Sequence, residues 1–145
     1  MADDLHAAVS SRLHRVGQRY TTGRRALVEA IFDADRPMTA AELLERRPRL
    51  PQSTAYRNLA VLEQAGVVHR IRGADDYARF ELSEELGGHH HHLVCVDCGT
   101  VEDFVPPARF EQSLSGMIGN VLAATGFRAE THRLDLLGSC SACAR

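Results

Sequence analysis

Four cysteines, all in the second half of the chain, form two C-x-x-C pairs: Cys95 with Cys98, and Cys140 with Cys143. Two residues between thiolates let both sulfurs reach one ion from a tight turn, and two such pairs complete the tetrahedron that zinc prefers. Such a site leaves no open position for a substrate, so it would be structural. Two disulfides or a redox switch are the alternatives. In a chain expected to be cytoplasmic, the pattern favours one structural zinc ion per chain.

A run of four histidines, His89 to His92, comes shortly before the first cysteine pair. Because side chains alternate between the two faces of extended backbone, His89 and His91 would point one way, and His90 and His92 the other. Each pair could therefore supply two imidazoles to a different metal ion. A solvated polar loop is the alternative. An engineered tag is disfavoured because the run is internal and leads directly into a predicted strand.

Further ligands for the first of these pairs must come from elsewhere in the second half. His132 lies on a predicted late strand and Glu111 near the start of a predicted helix. With His89 and His91 they would form one metal site.

The second pair has candidate partners in the first half. His69 and Glu81 lie on a predicted hairpin close to the middle of the chain. A metal ion held by His69, Glu81, His90 and His92 would bridge the two halves. Occupancy of that site would then fix their relative orientation, as a sensor requires.

The first half is predicted to fold as a winged helix-turn-helix domain over residues 1–84. Apolar spacing and capping sequences predict helices followed by a hairpin, the order of that motif. The helices cover residues 1–15, a segment capped by Thr21-Thr22, a short segment opened by the capping box Thr39-Ala40-Ala41-Glu42, and a segment from Pro51 to Gly66; the hairpin strands cover 67–71 and 77–82.

The second half is predicted to be an α/β dimerisation domain over residues 85–145 that carries the four-cysteine zinc site. Its predicted elements are strands over 93–96 and 101–105, a helix over 108–124, and a strand over 128–137. The fold class of the whole chain is therefore predicted to be α+β.

Charge is distributed unevenly along the chain. Residues 1–72 carry a net charge of +4 and residues 73–145 one of −6, which together give the −2 of the 145-residue chain. This asymmetry suggests nucleic acid at one end and cations at the other. The sequence shows no secretory signal and no apolar stretch long enough to cross a bilayer, so we expect a cytoplasmic protein without a membrane partner.

Taken together, the motifs resemble those of the ferric uptake regulator family, over nearly the whole chain. The matching landmarks are Gly17-Gln18-Arg19-Tyr20-Thr21 with Arg24, Ser53-Thr54-Ala55-Tyr56-Arg57-Asn58-Leu59, Phe80-Glu81-Leu82, His89-His90-His91-His92-Leu93-Val94-Cys95-Val96-Asp97-Cys98-Gly99, and His132 with Gly138-Ser139-Cys140-Ser141-Ala142-Cys143. The resemblance implies a homodimeric repressor that binds palindromic operators in double-stranded DNA when loaded with metal.

The resemblance also implies roles for individual residues. The four cysteines would hold the structural zinc. His90 and His92, with Glu81 and a residue of the wing, would form the regulatory site between the domains. The second site, inside the dimerisation domain, would be formed by His89, His91, Glu111 and His132.

Three positions depart from the family pattern. Many members place a ligand histidine before the capping-box helix, where this chain has Asp35-Arg36-Pro37-Met38. His69 would replace that ligand, as in zinc-sensing members that carry His or Asp at this wing position. Those members often carry a cysteine near the end of the wing, where this chain has Glu81 and Ser83. An extra residue near Pro106-Pro107 makes Asp103 a rival to Glu111.

The regulatory metal is predicted to be Zn²⁺, with Fe²⁺ next and then Mn²⁺ or nickel. Three imidazoles and one carboxylate suit zinc and also iron. His69 and the Gly-Ser-Cys-Ser-Ala-Cys ending favour the zinc uptake regulators. A peroxide sensor of the family is a further alternative. Such sensors typically use aspartate among their iron ligands, and the sequence shows none in the expected places.

DNA would be read by the helix that opens at Ser53 and Thr54, lying in the major groove. Arg57 can donate to guanine O6 and N7, and Tyr56 can pack on a thymine methyl, unless its ring lies in the core. Arg19 and Arg24 would contact phosphates, or Arg19 would enter the minor groove.

Two other classes of protein compete with this interpretation. A zinc hydrolase could use His89, His91, His132 and Glu111, but the chain has neither H-E-x-x-H nor a zinc deaminase pattern, and the helix-turn-helix would be unexplained. The second rival is a DNA-binding module with a zinc staple and no sensing, which would bind one zinc per chain and no further metal. No catalytic residues are predicted.

Overall fold

The computed structural model describes residues 2–144, with six helices and six strands in that range. The helices are α1 (Ala2–Arg15), α2 (Thr22–Phe32), α3 (Ala40–Arg46), α4 (Gln52–Gln64), α5 (Glu84–Gly87) and α6 (Ala108–Thr125). The strands are β1 (Met38–Thr39), β2 (Val68–Arg72), β3 (Ala78–Leu82), β4 (His91–Cys95), β5 (Val101–Phe104) and β6 (Asp135–Gly138).

Helices α1 to α4 and the hairpin β2–β3 form the winged helix in the first half. Leu5, Val9 and Leu13 recur every four residues on α1 and are buried, so this helix is fixed by one apolar face. The same core takes apolar residues from α2, α3, α4 and the hairpin. The antiparallel sheet has the order β1-β3-β2, in which β1 is a two-residue strand that the sequence did not predict.

Local capping explains where two of these helices begin. The Thr21 hydroxyl accepts a hydrogen bond from the Arg24 backbone N–H, at 3.3 Å. At α3, Thr39 and Glu42 form the reciprocal capping box, with distances of 3.2 and 2.8 Å. Both starts agree with the sequence prediction, because a cap depends only on residues within one turn.

The second half contains a three-stranded sheet of order β5-β4-β6, in which β4 pairs with β6 in parallel. Strand β6 is shorter than the predicted 128–137, and the prediction that His132 lies on this strand is wrong. The register aligns His92 with Asp135, and β4 begins at His91. Residues before Asp135 therefore lie beyond the start of β4 and have almost no strand residues to pair with. The mixed helix and sheet content confirms the predicted α+β fold class.

An apolar face of the second half lies outside the core of this single chain. Helix α6 has no buried residue, although Met117, Val121 and Leu122 lie on it. Leu136 and Leu137 on β6 are also exposed. Exposed apolar patches of this kind mark interaction surfaces. Among residues 2–144, no helix is long and apolar enough to span a membrane.

Candidate metal centres and DNA-reading helix

The four cysteines converge at one end of the sheet of the second half. Cys95 ends β4, Cys98 lies in the following turn, and Cys140 and Cys143 lie in the turn after β6. Their sulfur atoms all lie within 4.8 Å of one another. All four are free thiols, and the 3.8 Å between the sulfurs of Cys98 and Cys140 is far beyond a disulfide bond.

The surroundings of these sulfurs favour thiolates. Backbone N–H groups of Cys140, Cys98 and Asp97 point at the sulfur of Cys95 and lower its pKa to about 6. In contrast, contacts with Cys140 and Cys98 raise the pKa of Cys143 to about 12. A cluster that stabilises some thiolates and disfavours the last one suits a divalent cation, which would neutralise them together.

Glu81, His90, His92 and Asp103 form a second cluster. We call it the interdomain cluster, because Glu81 lies on β3 of the wing (the β2–β3 hairpin) and the other three residues lie in the second half. Their ligand atoms lie within 4.8 Å of one another. One oxygen of Glu81 lies 2.8 Å from Nε2 of His90 and 3.1 Å from Nε2 of His92. The two histidines point the same way because they alternate along β4, as the sequence predicts.

Asp103 is a member of this cluster, although the sequence suggests it only as a rival to Glu111 at the other histidine site. Its carboxylate lies 3.5 Å from Nε2 of His90 and 3.7 Å from Nε2 of His92. The expectation that no aspartate lies at this site is therefore wrong. The cause is strand register: β5 pairs antiparallel with β4, which places Asp103 opposite His92. No local motif encodes that pairing.

His69 lies at the edge of the interdomain cluster. Its Nε2 is 2.7 Å from the other oxygen of Glu81, the residue directly across the β2–β3 hairpin. Its side chain is 44% exposed, against 8% for that of His92. His69 contacts the cluster through Glu81, whereas Asp103 joins it directly.

Charge is concentrated in this cluster. Burial alone would raise the pKa of Glu81, but hydrogen bonds from His69, His92 and His90 outweigh burial and hold it well below its usual range. Burial, and then the neighbouring Glu81 carboxylate, raise the pKa of Asp103. Two carboxylates and two imidazoles at one half-buried point are a donor set that fits a divalent metal ion.

His89, His91, Glu111 and His132 form a third cluster, within the second half. Nε2 of His91 contacts one oxygen of Glu111. The other oxygen lies 3.3 Å from Nε2 of His89 and 3.6 Å from that of His132. Nε2 of His132 is buried and has no hydrogen-bond partner among the described residues. A buried nitrogen that faces a carboxylate and two imidazoles fits a metal ligand.

The exposed face of α4 carries the residues predicted to read DNA. Ala55, Leu59 and Leu62 are buried, which leaves Ser53, Tyr56 and Arg57 on the solvent side, with Thr54 partly covered. Tyr56 is 52% exposed, so it is not a core aromatic. Gln52, which is not among the predicted DNA contacts, is also exposed at the start of this helix.

The two predicted phosphate-contacting arginines differ in their surroundings. Arg19 is exposed. Arg24 donates to the backbone carbonyl of Arg19 at 2.6 Å and to the side chain of Asn58, a buried residue of α4, at 3.2 Å. Arg24 therefore ties the start of α2 to α4.

Comparison with known proteins identifies the family of this chain. The ferric uptake regulator family matches residues 15–137. The ferric uptake regulation protein of Cupriavidus metallidurans is 33% identical over 134 residues, which cover 89% of each chain. This chain belongs to the ferric uptake regulator family.

Other family members show how far the likeness extends. The peroxide operon regulator of Bacillus subtilis is 28% identical over 149 residues, covering 99% of this chain and 96% of its own. The crystal structure of the Vibrio cholerae ferric uptake regulator matches with a TM-score of 0.69 and 29% identity, covering 90% of this chain and 98% of that one. As a member of the ferric uptake regulator family, the chain is a metal-responsive, DNA-binding transcriptional regulator, and such regulators act as dimers.

Proposed function

We propose that the protein is a metal-dependent repressor that binds palindromic operator DNA as a homodimer, with Zn²⁺ as the regulatory ion. The observation that carries this proposal is the interdomain cluster. It joins Glu81 on the wing to His90, His92 and Asp103 on the sheet of the second half.

The cluster couples the two domains through Glu81. This residue lies on β3, the central strand of the wing sheet, and it is 6% exposed. A bound divalent cation would supply the positive charge that holds the carboxylates of Glu81 and Asp103 together. The position of β3 relative to β4 and β5 would then be fixed, and with it the orientation of α4 toward DNA. Without the cation, the hydrogen bonds of Glu81 to His90 and His92 still join the wing to this sheet, but its position is fixed less tightly.

The donor set of the interdomain cluster favours Zn²⁺ as the regulatory ion. At a site of nitrogen and oxygen donors, Zn²⁺ generally binds more tightly than Fe²⁺ or Mn²⁺. The four members of the cluster also match the four-coordinate preference of zinc. His69 would support this set by holding the other oxygen of Glu81. Fe²⁺ and Mn²⁺ are the alternatives, because carboxylates make up half of the set and no thiolate is present in it.

The other two clusters have separate roles. We assign one structural Zn²⁺ per chain to Cys95, Cys98, Cys140 and Cys143, where four thiolates close the coordination sphere. The third cluster, of His89, His91, Glu111 and His132, would hold a third ion, which stabilises the dimerisation domain.

The apolar face on α6 and β6 supports a homodimer. Val121 on α6 and Leu137 on β6 are 53% and 71% exposed in the single chain. Covering them with the same face of a second copy gives a twofold dimer, whose two α4 helices would read the two halves of a palindrome.

Peroxide sensing is the second candidate function. Asp103 in the interdomain cluster favours it, as does the likeness to the peroxide operon regulator. Operator binding by the Fe²⁺-loaded protein would then fall after brief exposure to hydrogen peroxide, whereas binding by the Mn²⁺-loaded protein would not.

Operator binding titrated against buffered Zn²⁺, Fe²⁺ and Mn²⁺ tests the proposal, with a site selected from random duplex DNA and metal stoichiometry measured in parallel. We expect operator affinity to rise as the chain takes up an ion beyond the structural zinc. Of the three ions, Zn²⁺ should produce this rise at the lowest free concentration. Equal operator affinity with and without that further ion would contradict metal control. One zinc per chain at every concentration would show a DNA-binding module with a zinc staple and no sensing.

A further inference from the structure

We propose that Asp135 is a positioning residue for the interdomain cluster: after a small rotation its carboxylate accepts a hydrogen bond from Nδ1 of His92, which directs Nε2 of that ring toward Glu81. The inference rests on the function proposed above and deepens it. Asp135 lies outside all the motifs that carry the family resemblance.

The backbone places the two side chains next to each other. Asp135 is the first residue of β6, and the parallel register with β4 aligns it with His92. The backbone N–H of His92 donates to the carbonyl of Leu134 at 3.3 Å, which fixes that alignment. Since neighbouring residues of paired strands project to the same side, the two side chains meet on one face of the sheet.

The carboxylate of Asp135 needs a donor. Its Oδ1 lies 3.4 Å from Nδ1 of His92, is buried, and has no hydrogen-bond partner among residues 2–144. Leaving a buried carboxylate oxygen without a donor is costly, so a small rotation that completes the bond to Nδ1–H is favourable. The other oxygen is already held, because Arg133 donates to Oδ2 at 3.0 Å.

The opposite nitrogen of His92 faces the cluster. Its Nε2 lies 3.1 Å from Glu81, and the side chain is 8% exposed. A neutral imidazole can ligate a metal only through the nitrogen that lacks a proton, so the proton must sit on the other nitrogen. An acceptor beside Nδ1 selects that tautomer and also fixes the plane of the ring.

His90 shows the same arrangement with a different acceptor. Its Nδ1 lies 3.0 Å from the backbone carbonyl of Gly88, and its Nε2 lies 2.8 Å from Glu81. Both histidines of the cluster therefore have an oxygen acceptor behind the ring. For His90 the acceptor belongs to the backbone, whereas for His92 it is a side chain that can be substituted.

The test is a Co²⁺ titration of the dimer with zinc bound at its four cysteines, followed by the visible absorption of the bound Co²⁺. All variants carry His132→Ala, which removes a ligand of the third cluster so that the absorption reports the interdomain cluster. We expect Asp135→Ala to weaken Co²⁺ binding at the interdomain cluster by about 10- to 100-fold, the usual loss when the partner of a ligating histidine is removed. Asp135→Asn keeps an oxygen acceptor and should recover most of the affinity. Glu130→Ala is the matched control: it removes the same charge from an exposed position in the same segment and should change nothing.

A second readout reports the hydrogen bond itself. In the zinc-loaded wild-type dimer, the Nδ1–H proton of His92 should be protected from exchange and shifted downfield in NMR spectra. Asp135→Ala should lose that resonance, and Asp135→Asn should move it upfield. If Asp135→Ala does not fold, the shift in Asp135→Asn decides, and an unchanged resonance overturns the inference.

The outcomes separate this inference from the proposed function. Unchanged Co²⁺ affinity in Asp135→Ala, with normal uptake by the wild type, overturns the role of Asp135 and leaves metal sensing intact. If the wild type binds no ion at the interdomain cluster, the proposed function fails, and the inference that rests on it fails with it.

Discussion

The carboxylate of Asp75, at the tip of the wing, lies directly against Gly99, in the turn that follows Cys98. A Cβ atom on Gly99 would collide with this carboxylate, and the φ angle of Gly99 is +77°. Asp75 is itself held by Arg79, whose Nη1 lies 2.7 Å from Oδ1. The wing therefore packs on the turn of the cysteine cluster as well as meeting the sheet through Glu81.

We expect Gly99→Ala to destabilise the protein by at least about 2 kcal/mol, because it combines a strained left-handed backbone with the collision against Asp75. The matched control is Gly17→Ala, which has a φ of +71° but open space around the position, so it carries only the backbone cost. The measurement is the denaturant concentration at the midpoint of unfolding, for the dimer with zinc bound at its four cysteines. Equal losses in the two variants would show that the contact with Asp75 has no energetic weight.

A double-mutant cycle with Asp75→Ala isolates that contact. Gly99→Ala should cost less in the Asp75→Ala background, because the colliding carboxylate is gone. The same loss of stability in both backgrounds would contradict the packing of the wing tip on this turn.

His90→Ala should abolish metal-dependent operator binding and leave the dimer intact. The imidazole of His90 contacts Glu81 across the domain boundary, whereas the exposed apolar face on α6 and β6 is untouched by the substitution. The measurements are a mobility shift at graded Zn²⁺ and the molecular mass in solution. His14→Ala, at an exposed position on α1, serves as the control and should behave like the wild type. Metal-dependent binding by His90→Ala would remove the interdomain cluster from the mechanism.

The relative roles of His69 and Asp103 follow from their positions. Asp103→Ala should weaken uptake of the regulatory ion more than His69→Ala does, because Asp103 faces both histidines of the cluster and His69 contacts only Glu81. Competition with a chromophoric chelator measures both affinities. The opposite order would show that His69 is a direct ligand and that Asp103 is not.

Local features of this chain could be predicted from sequence, and features that depend on strand register could not. The starts of α2 and α3 are encoded by Thr21, Thr39 and Glu42, all within one turn of the helix they cap. The two-residue strand β1 and the true start of β6 depend on which strand lies alongside. Neighbouring strands are brought together by the whole fold, and no spacing along the chain records their register.

The same distinction holds for the candidate metal sites. The separation of His89 and His91 from His90 and His92 follows from alternation along one strand, and the cysteine cluster follows from two C-x-x-C turns. Asp103 joins the interdomain cluster from β5, and Asp135 lies beside Nδ1 of His92 from β6, the strand on the other side of β4. Their contribution is visible only when the pairing of all three strands is known.

Cys95→Ala should cost folding or dimerisation, in contrast to His90→Ala. Cys95 is 3% exposed and ends the central strand β4, so its loss opens the closed thiolate site and leaves a gap at the end of the sheet. Metal binding at a closed site contributes directly to folding. The measurements are zinc content per chain, circular dichroism and molecular mass. A Cys95→Ala dimer that kept its stability would contradict a structural role for the cysteine cluster.

Arg57→Ala and Arg19→Ala should weaken operator binding in different ways. Arg57 lies on the exposed face of α4, where it would read a base, so its removal should cost about 1–3 kcal/mol and relax sequence preference at one position of each half-site. Arg19 is exposed near the start of α2, where it would contact a phosphate. Its removal should weaken binding to all sequences alike and reduce the salt dependence by about one charge.

Affinity measured at several salt concentrations, on the selected operator and on single-base variants, distinguishes these two effects. Arg25→Ala is the control, since this exposed arginine of α2 is paired with Glu29 at 3.0 Å. If Arg57→Ala changed the salt dependence and left sequence preference untouched, Arg57 would be a phosphate contact. Tyr56 and Arg57 lie side by side on the exposed face of α4, so both should face the bases in the proposed orientation. An Arg57 that contacts a phosphate would mean that α4 lies in the groove in a different orientation.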